Sequence, residues 1–180
     1  GTTEWSPWAT ALHGWAMAVQ GHYEEGIAVI REGLAMSRAT GLELWRAHLL
    51  CMLAEAYKEA GQPNDAQDAL AEALAIGDQH QELWSEPEIH RLRGELLLRQ
   101  DNSNGVEAQQ CFERAIEIAC RQKAKSWVLR ATTNLARLLD KQGKRDQARA
   151  MLAEIYNWFT EGFDTADLKD AKALLEELNG

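Results

Sequence analysis

ELWRAHLLCMLAEAYKEAGQPNDAQDALAEAL, from Glu43 to Leu74, carries two amphipathic helical patterns separated by one tight turn. Leu50, Leu53, Ala54 and Tyr57 recur at helical spacing in its first half, and Ala66, Ala69, Leu70, Ala73 and Leu74 in its second. Gly61 supplies a stop, and Pro63 sits where a first helical turn tolerates a missing N–H, so the turn is about two residues long. The stretch reads as a helical hairpin. A single hairpin cannot bury its own apolar face, so this one requires neighbours of the same kind.

The neighbours are in the sequence. Gly14, Ala54, Gly94 and Ala136 mark a small position in the first helix of four copies, separated by 40, 40 and 42 residues. Gly26, Ala66, Ala108 and Ala148 mark the second helix, separated by 40, 42 and 40. A tryptophan nine or ten residues before the first marker repeats as Trp5, Trp45, Trp84 and Trp127. Gly21, Gly61 and Gly143 are the turn glycines of three copies, and DNSNG replaces the glycine in the third. The resulting helices are expected at 5–20, 23–39, 43–60, 64–77, 86–100, 105–122, 125–141, 145–158 and 165–178. Thr40 with Glu43, Ser85 with Glu88, and Asn104 with Glu107 have the spacing of capping boxes. No stretch alternates apolar and polar over a strand's length, so the class is all-α.

These features resemble the tetratricopeptide repeat family, whose paired helices carry a large-x-x-Leu-small-x-x-aromatic pattern followed by a second small-residue motif. Leu50, Leu53, Ala54, Tyr57, Ala66 and Leu70 match best, followed by Leu135, Ala136, Leu139, Ala148 and Leu152. His13 and Arg93 stand where leucine is expected, and no copy has the closing proline. The resemblance implies a right-handed superhelix of four hairpins with a period of about 40 residues, plus a C-terminal capping helix. Residues 1–180 would then be one solenoid domain, with repeats at 3–40, 41–80, 81–123 and 124–160 and the cap at 161–180. The segment Ile155–Leu178 is similar to the close of large bacterial proteins that join a nucleotide-cyclase or DNA-binding output domain to a signalling-type ATPase and a helical-repeat region. That likeness implies a fragment of a larger protein, as does the aromatic first hairpin with no repeat before it.

Composition removes several function classes. A net charge of −9 opposes nonspecific nucleic-acid binding, which needs a basic surface to displace counterions. There is no apolar run long enough to span a bilayer, and no signal-peptide pattern at the first residues. Cys51, Cys111 and Cys120 lack paired metal-ligand spacing and suit reduced thiols in a cytoplasmic protein. His13, His22, His48, His80 and His90 form no metal-binding pattern, so no metal or other cofactor is expected. No phosphate loop or nucleophile elbow occurs, and enzyme activity is not expected of this chain.

A binding role is the remaining expectation. In the family the first helix of each pair lines the concave face. Aligning the markers gives Trp8, His48, Glu88 and Arg130 as one row, Trp15, Glu55, Glu95 and Arg137 as another, and Ala11, Cys51, Arg91 and Thr133 between them. The candidate binding residues are therefore Trp8, Trp15, His48, Glu55, Glu88, Arg91, Glu95, Arg130, Asn134 and Arg137. Arg130, Asn134, Arg137 and Lys141 project from one side of a helix and suit an acidic peptide or a C-terminal carboxylate. Trp8 and Trp15 are expected to face solvent, which motivates self-association through the N-terminal hairpin or contact with upstream domains of the same chain. Two functions follow: a protein-interaction scaffold in the regulatory arm of a signalling ATPase, or a small-ligand sensor that passes strain to upstream domains. The charged rows favour the scaffold.

Overall fold

The computed structural model describes residues 6–41, 45–80 and 84–180, apart from the side chains at 40, 78, 80 and 102. Among these residues there are nine α-helices and no strand. In chain order they are α1 (Ser6–Val19), α2 (Tyr23–Thr40), α3 (Arg46–Glu59), α4 (Pro63–His80), α5 (Glu86–Gln100), α6 (Gly105–Arg121), α7 (Lys125–Lys141), α8 (Arg145–Tyr156) and α9 (Ala166–Asn179), with one 3-10 turn at Asn102–Asn104. The spacing-based expectation holds to within about three residues at each end. The largest shifts are at α3, which begins at Arg46 rather than near 43, and at α4, which runs on to His80 rather than stopping near 77.

Three hairpin turns repeat one hydrogen-bond pattern. Gly21, Gly61 and Gly143 have φ of 93°, 75° and 78°, a left-handed conformation that costs glycine nothing sterically. The N–H of each glycine donates three residues back, to Ala18, Lys58 and Asp140. The following N–H donates five residues back: His22 to Met17 at 3.0 Å, Gln62 to Tyr57 at 2.9 Å and Lys144 to Leu139 at 2.9 Å. Two otherwise orphaned helix-terminal carbonyls are satisfied each time, as in a Schellman motif. The end of α6 makes the same pair of bonds, Lys123 to Cys120 and Ala124 to Ala119, but with a lysine at φ 58°.

The two extra residues of the third hairpin change the chemistry of its turn. The Asp101 carboxylate accepts from the Ser103 N–H at 2.8 Å and so starts the 3-10 turn, while Asn104 Nδ2 donates to the Leu97 carbonyl at 3.1 Å. That backbone bond holds the Asp101 carboxyl below the usual aspartate range. The capping box expected of Asn104 with Glu107 is therefore not made: the Asn104 side chain points back into α5 and makes no cap bond. Nor does Ser85 cap α5. Its Oγ is buried without a hydrogen-bond partner, and Glu88 turns to Arg91 instead. The Thr40 side chain and Glu43 lie outside the described residues, as does Trp5.

The chain forms two compact units, residues 1–92 and 93–180, and the division falls inside α5. In the first unit α1 packs on α2, α3 on α4, and α3 also meets α1 and α2. Gly14 and Gly26 lie face to face: a Cβ on Gly14 would meet the Gly26 carbonyl oxygen at 2.6 Å and the Ile30 nitrogen at 2.7 Å. Backbone touches backbone there, which is why both marker series begin with glycine. The later markers Ala54 and Ala66 are 1% and 0% exposed.

In the second unit α7 packs against α6, α8 and α9, around a core that includes Phe112, Leu129, Leu139, Leu152 and Leu168. Gly94 is small for a different reason than Gly14. The Phe112 ring fills the space beside it, and a Cβ would meet ring carbons at 2.5–2.9 Å. The closing helix α9 buries Leu168, Ala171, Leu174 and Leu178, a single stripe at helical spacing. Arg145 of α8 clasps its far end, donating to the carbonyls of Leu178, at 3.2 Å, and of Glu177.

Candidate functional site

Two of the first-helix rows aligned by sequence bring their members into contact in the first unit. In the first unit Trp8 stacks on His48, with ring centroids 5.7 Å apart and planes at 26°. Trp45 closes on Trp8 at 5.3 Å and on Trp84 at 5.5 Å, and His48 lies 4.6 Å from Trp84. Offset and edge contacts of this kind favour aromatic pairs beyond area burial alone, by about 0.5–1.5 kcal/mol each. One row over, the Trp15 Nε1–H donates to Glu55 Oε2 at 3.0 Å across a separation of forty residues, one repeat period. Both tryptophans are thus half-buried and engaged, which corrects the expectation of a solvent-facing aromatic pair. The motive for self-association through the first hairpin weakens with it.

Glu88 and Arg91 are joined by two bonds, Nε to Oε2 at 2.9 Å and Nη2 to Oε1 at 2.6 Å. Both side chains are 6% exposed. Glu55 stands 3.7 Å from the same guanidinium, so one cation faces two carboxylates. Cys51 is enclosed by this group. Burial first, and then the Glu88 carboxylate, push its thiol well above the ordinary value against the opposing pull of Arg91, leaving it an inert core residue. Glu88 and Arg91 belong to the sequence-selected set, but the fold turns them on each other rather than outward.

The corresponding residues of the second unit are more open. Arg130, Asn134 and Arg137 lie along one face of α7, as their spacing requires, and each meets a carboxylate. Arg130 Nε lies 3.3 Å from Asp167 Oδ1, Asn134 Nδ2 donates to Glu95, and Arg137 donates to Asp170. Asp167 and Asp170 are on α9, which runs along this face. The aligned rows set Glu95 beside Arg137, but Glu95 meets Asn134 instead, and the two aspartates were missed. Their spacing of three on the capping helix could have suggested them, had the helix's polar face been matched against α7.

A cavity of about 280 Å³ opens in the first unit between the ends of α1 and α3 and the start of α2. Trp15, Tyr23, Glu55 and Glu59 line it together with small apolar residues and Val19, which is 66% exposed. Tyr23 and Glu59 were outside the sequence-selected set because neither falls on the aligned rows. A second cavity of about 250 Å³ lies among α2, α3 and α4. Among the described residues no helix is long and apolar enough to cross a membrane.

Paired helices at a period of about 40 residues, joined in three of the four hairpins by the same turn and closed by an amphipathic helix, define the α-helical repeat class. Residues 7–32, 47–77 and 87–160 each match a tetratricopeptide repeat family model, and the chain carries tetratricopeptide repeats. Solved structures agree on the fold. The nearly identical TPR-like repeats assigned to a kinesin light chain of Podosopora anserina are similar at a TM-score of 0.65 and 17% identity, covering 94% of this chain and 83% of that one. BtubC (BKLC) from P. vanneervenii is similar at 0.60 and 17%, covering 91% and 74%. No curated protein matches the sequence.

Proposed function

We propose that this chain is a protein–protein interaction scaffold whose first helices form one binding face, and that it serves as the regulatory arm of a multidomain bacterial signalling ATPase or cyclase. In this reading residues 1–180 are one solenoid and α9 is its cap. The observation that carries it is the α7 row. Arg130, Asn134 and Arg137 hold carboxylates supplied by other helices, and they do so through contacts that water reaches: Arg137 and Asp170 are 42% and 52% exposed. Exposed ion pairs are weak, about 0–1 kcal/mol, so an acidic segment or C-terminal carboxylate of a partner can exchange for them at small cost. Likeness to tetratricopeptide repeats supports a binding role and leaves the ligand open.

A small-ligand sensor has less support. Cavities of about 250 and 280 Å³ fall below the usual range for such sites, about 300–1,000 Å³. Calorimetric titration of a peptide with an acidic C-terminus against the parent and an Arg130→Ala/Arg137→Ala variant tests the reading. Affinity should fall by about tenfold in the variant and weaken with salt. Equal affinity for both proteins would overturn it.

A further inference from the structure

We infer that the cavity between α1, α2 and α3 receives a lysine or arginine side chain of a bound peptide. The inference rests on the scaffold reading and adds to it a second, oppositely charged recognition element. Its walls are unlike those of the α7 row. Trp15 and Tyr23 bring two aromatic rings, Glu55 and Glu59 bring two carboxylates, and among the described residues no cation lines the space. Two cations pair with these carboxylates from outside the lining: Lys58, 6% exposed, lies 3.2 Å from Glu59, and Arg91 is shared between Glu55 and Glu88. The lining itself carries two carboxylates, Glu55 and Glu59.

Each feature selects the same guest. An anion entering the cavity would meet two carboxylates. A neutral apolar group would strip water from them without compensation. An alkyl chain ending in a cation lays its methylenes on the apolar lining and brings its head to the carboxylates and the aromatic rings. The Trp15 indole N–H is already held by Glu55, which fixes the ring before any ligand arrives and lowers the ordering cost of binding. Val19 decides between a free ammonium ion and a peptide. This exposed apolar side chain at the rim stays uncovered by a small cation, whereas the backbone that carries a basic side chain would lie across it.

The test uses the full chain and a short, otherwise neutral peptide with one central lysine. Controls are the same peptide with norleucine or glutamate in place of lysine, and butylammonium chloride. Binding is read by calorimetry and by the indole N–H resonance of Trp15, assigned with Trp15→Phe. The lysine peptide should shift that resonance and bind about tenfold tighter than the norleucine peptide, the gap expected of one charge-assisted contact with an aromatic wall. Glu59→Gln, on a side chain 39% exposed whose amide oxygen can still accept from Lys58, should remove most of that gap, and Glu55→Gln/Glu59→Gln all of it, with a thermal melt of each variant confirming that it folds.

Lysine and norleucine peptides binding alike, or a gap unchanged by Glu59→Gln, would overturn the inference. So would butylammonium binding as tightly as the lysine peptide, which would make this a small-cation site. If the acidic peptide still binds the α7 row while the lysine peptide does not, the scaffold reading stands without this pocket. If neither binds, both fall.

Discussion

Arg91 and Arg137 both stand on the first helices of their hairpins, and both meet carboxylates, yet their surroundings differ. Arg91 and Glu88 are each 6% exposed and doubly bonded, with Cys51 packed beside them. Arg137 and Asp170 are 42% and 52% exposed. A charge shut away from water must keep its partner, because losing it leaves an uncompensated ion in a medium that solvates it poorly. A charge in water can change partners freely. In the first unit Arg91 and Glu55 therefore tie neighbouring first helices together, while the α7 row of the second keeps its charges in contact with water.

The largest effect that separates the two should come from Arg91→Met. It strands the buried Glu88 carboxylate and should destabilise the fold by about 3–5 kcal/mol. Chemical denaturation would measure it, and restoring the balance with Glu88→Gln in the same chain should recover part of the loss. A loss below about 1 kcal/mol would show that water reaches Glu88 and would erase the contrast with the α7 row.

Glycine markers sharpen the comparison at the next level. Gly14→Ala drives a methyl against backbone atoms of α2 that cannot rotate away. Overpacking should outweigh the better helix propensity of alanine, for a net loss of about 2 kcal/mol. Gly94→Ala instead meets the Phe112 ring, which can tilt, and should cost under about 1 kcal/mol. Thermal melts of the two variants would reverse their order if the close backbone contact of the first hairpin were wrongly placed. Ala54→Leu, at a marker 1% exposed, should fall in the same range, about 1–3 kcal/mol.

A smaller effect of opposite sign is expected at the end of α6. Lys123 occupies the left-handed position that glycine fills in the other turns, at φ 58°. Lys123→Gly relieves that strain at the cost of a more flexible unfolded chain, and should raise stability by about 0.5 kcal/mol. A denaturation midpoint that falls instead would mean that the lysine side chain makes a contact worth more than the strain.

Much of this was legible in the sequence because it rests on local rules. The forty-residue spacing of Gly14 and Ala54 told which side chains would meet across the first repeats, and Trp15 to Glu55 and Trp8 to His48 follow from it, whereas Glu95 meets Asn134, three residues short of its aligned Arg137. What spacing does not carry is depth. It put Arg91 and Arg137 on neighbouring rows without saying that one is shut in and the other open, since depth depends on how closely the helices approach. Spacing within the repeats also says nothing of α9, whose Asp167 and Asp170 come from outside the repeat register. The cap boxes at Ser85 and Asn104 failed for a related reason: Asp101 and Arg91 offered Asn104's turn and Glu88 better partners than the helix termini did.

The smallest predicted effect on stability is also the one most informative about binding. Arg130 and Arg137 contact Asp167 and Asp170 across a partly solvated gap, so an Arg130→Ala/Arg137→Ala variant should lose under about 1 kcal/mol of stability. α9 should stay docked, because Leu168, Ala171, Leu174 and Leu178 remain buried and Arg145 still clasps its end. Salt is the discriminating variable. Ionic strength near 0.5 M shortens the screening length to about 4 Å, so the gap in stability between variant and parent should close as salt rises. Hydrogen exchange along α9 would locate any change. Exchange in α9 that rises to the rate of an unfolded segment in the double variant would mean that the two arginines hold the cap in place. They would then be structural, as Arg91 is, and not exchangeable with the carboxylate of a partner.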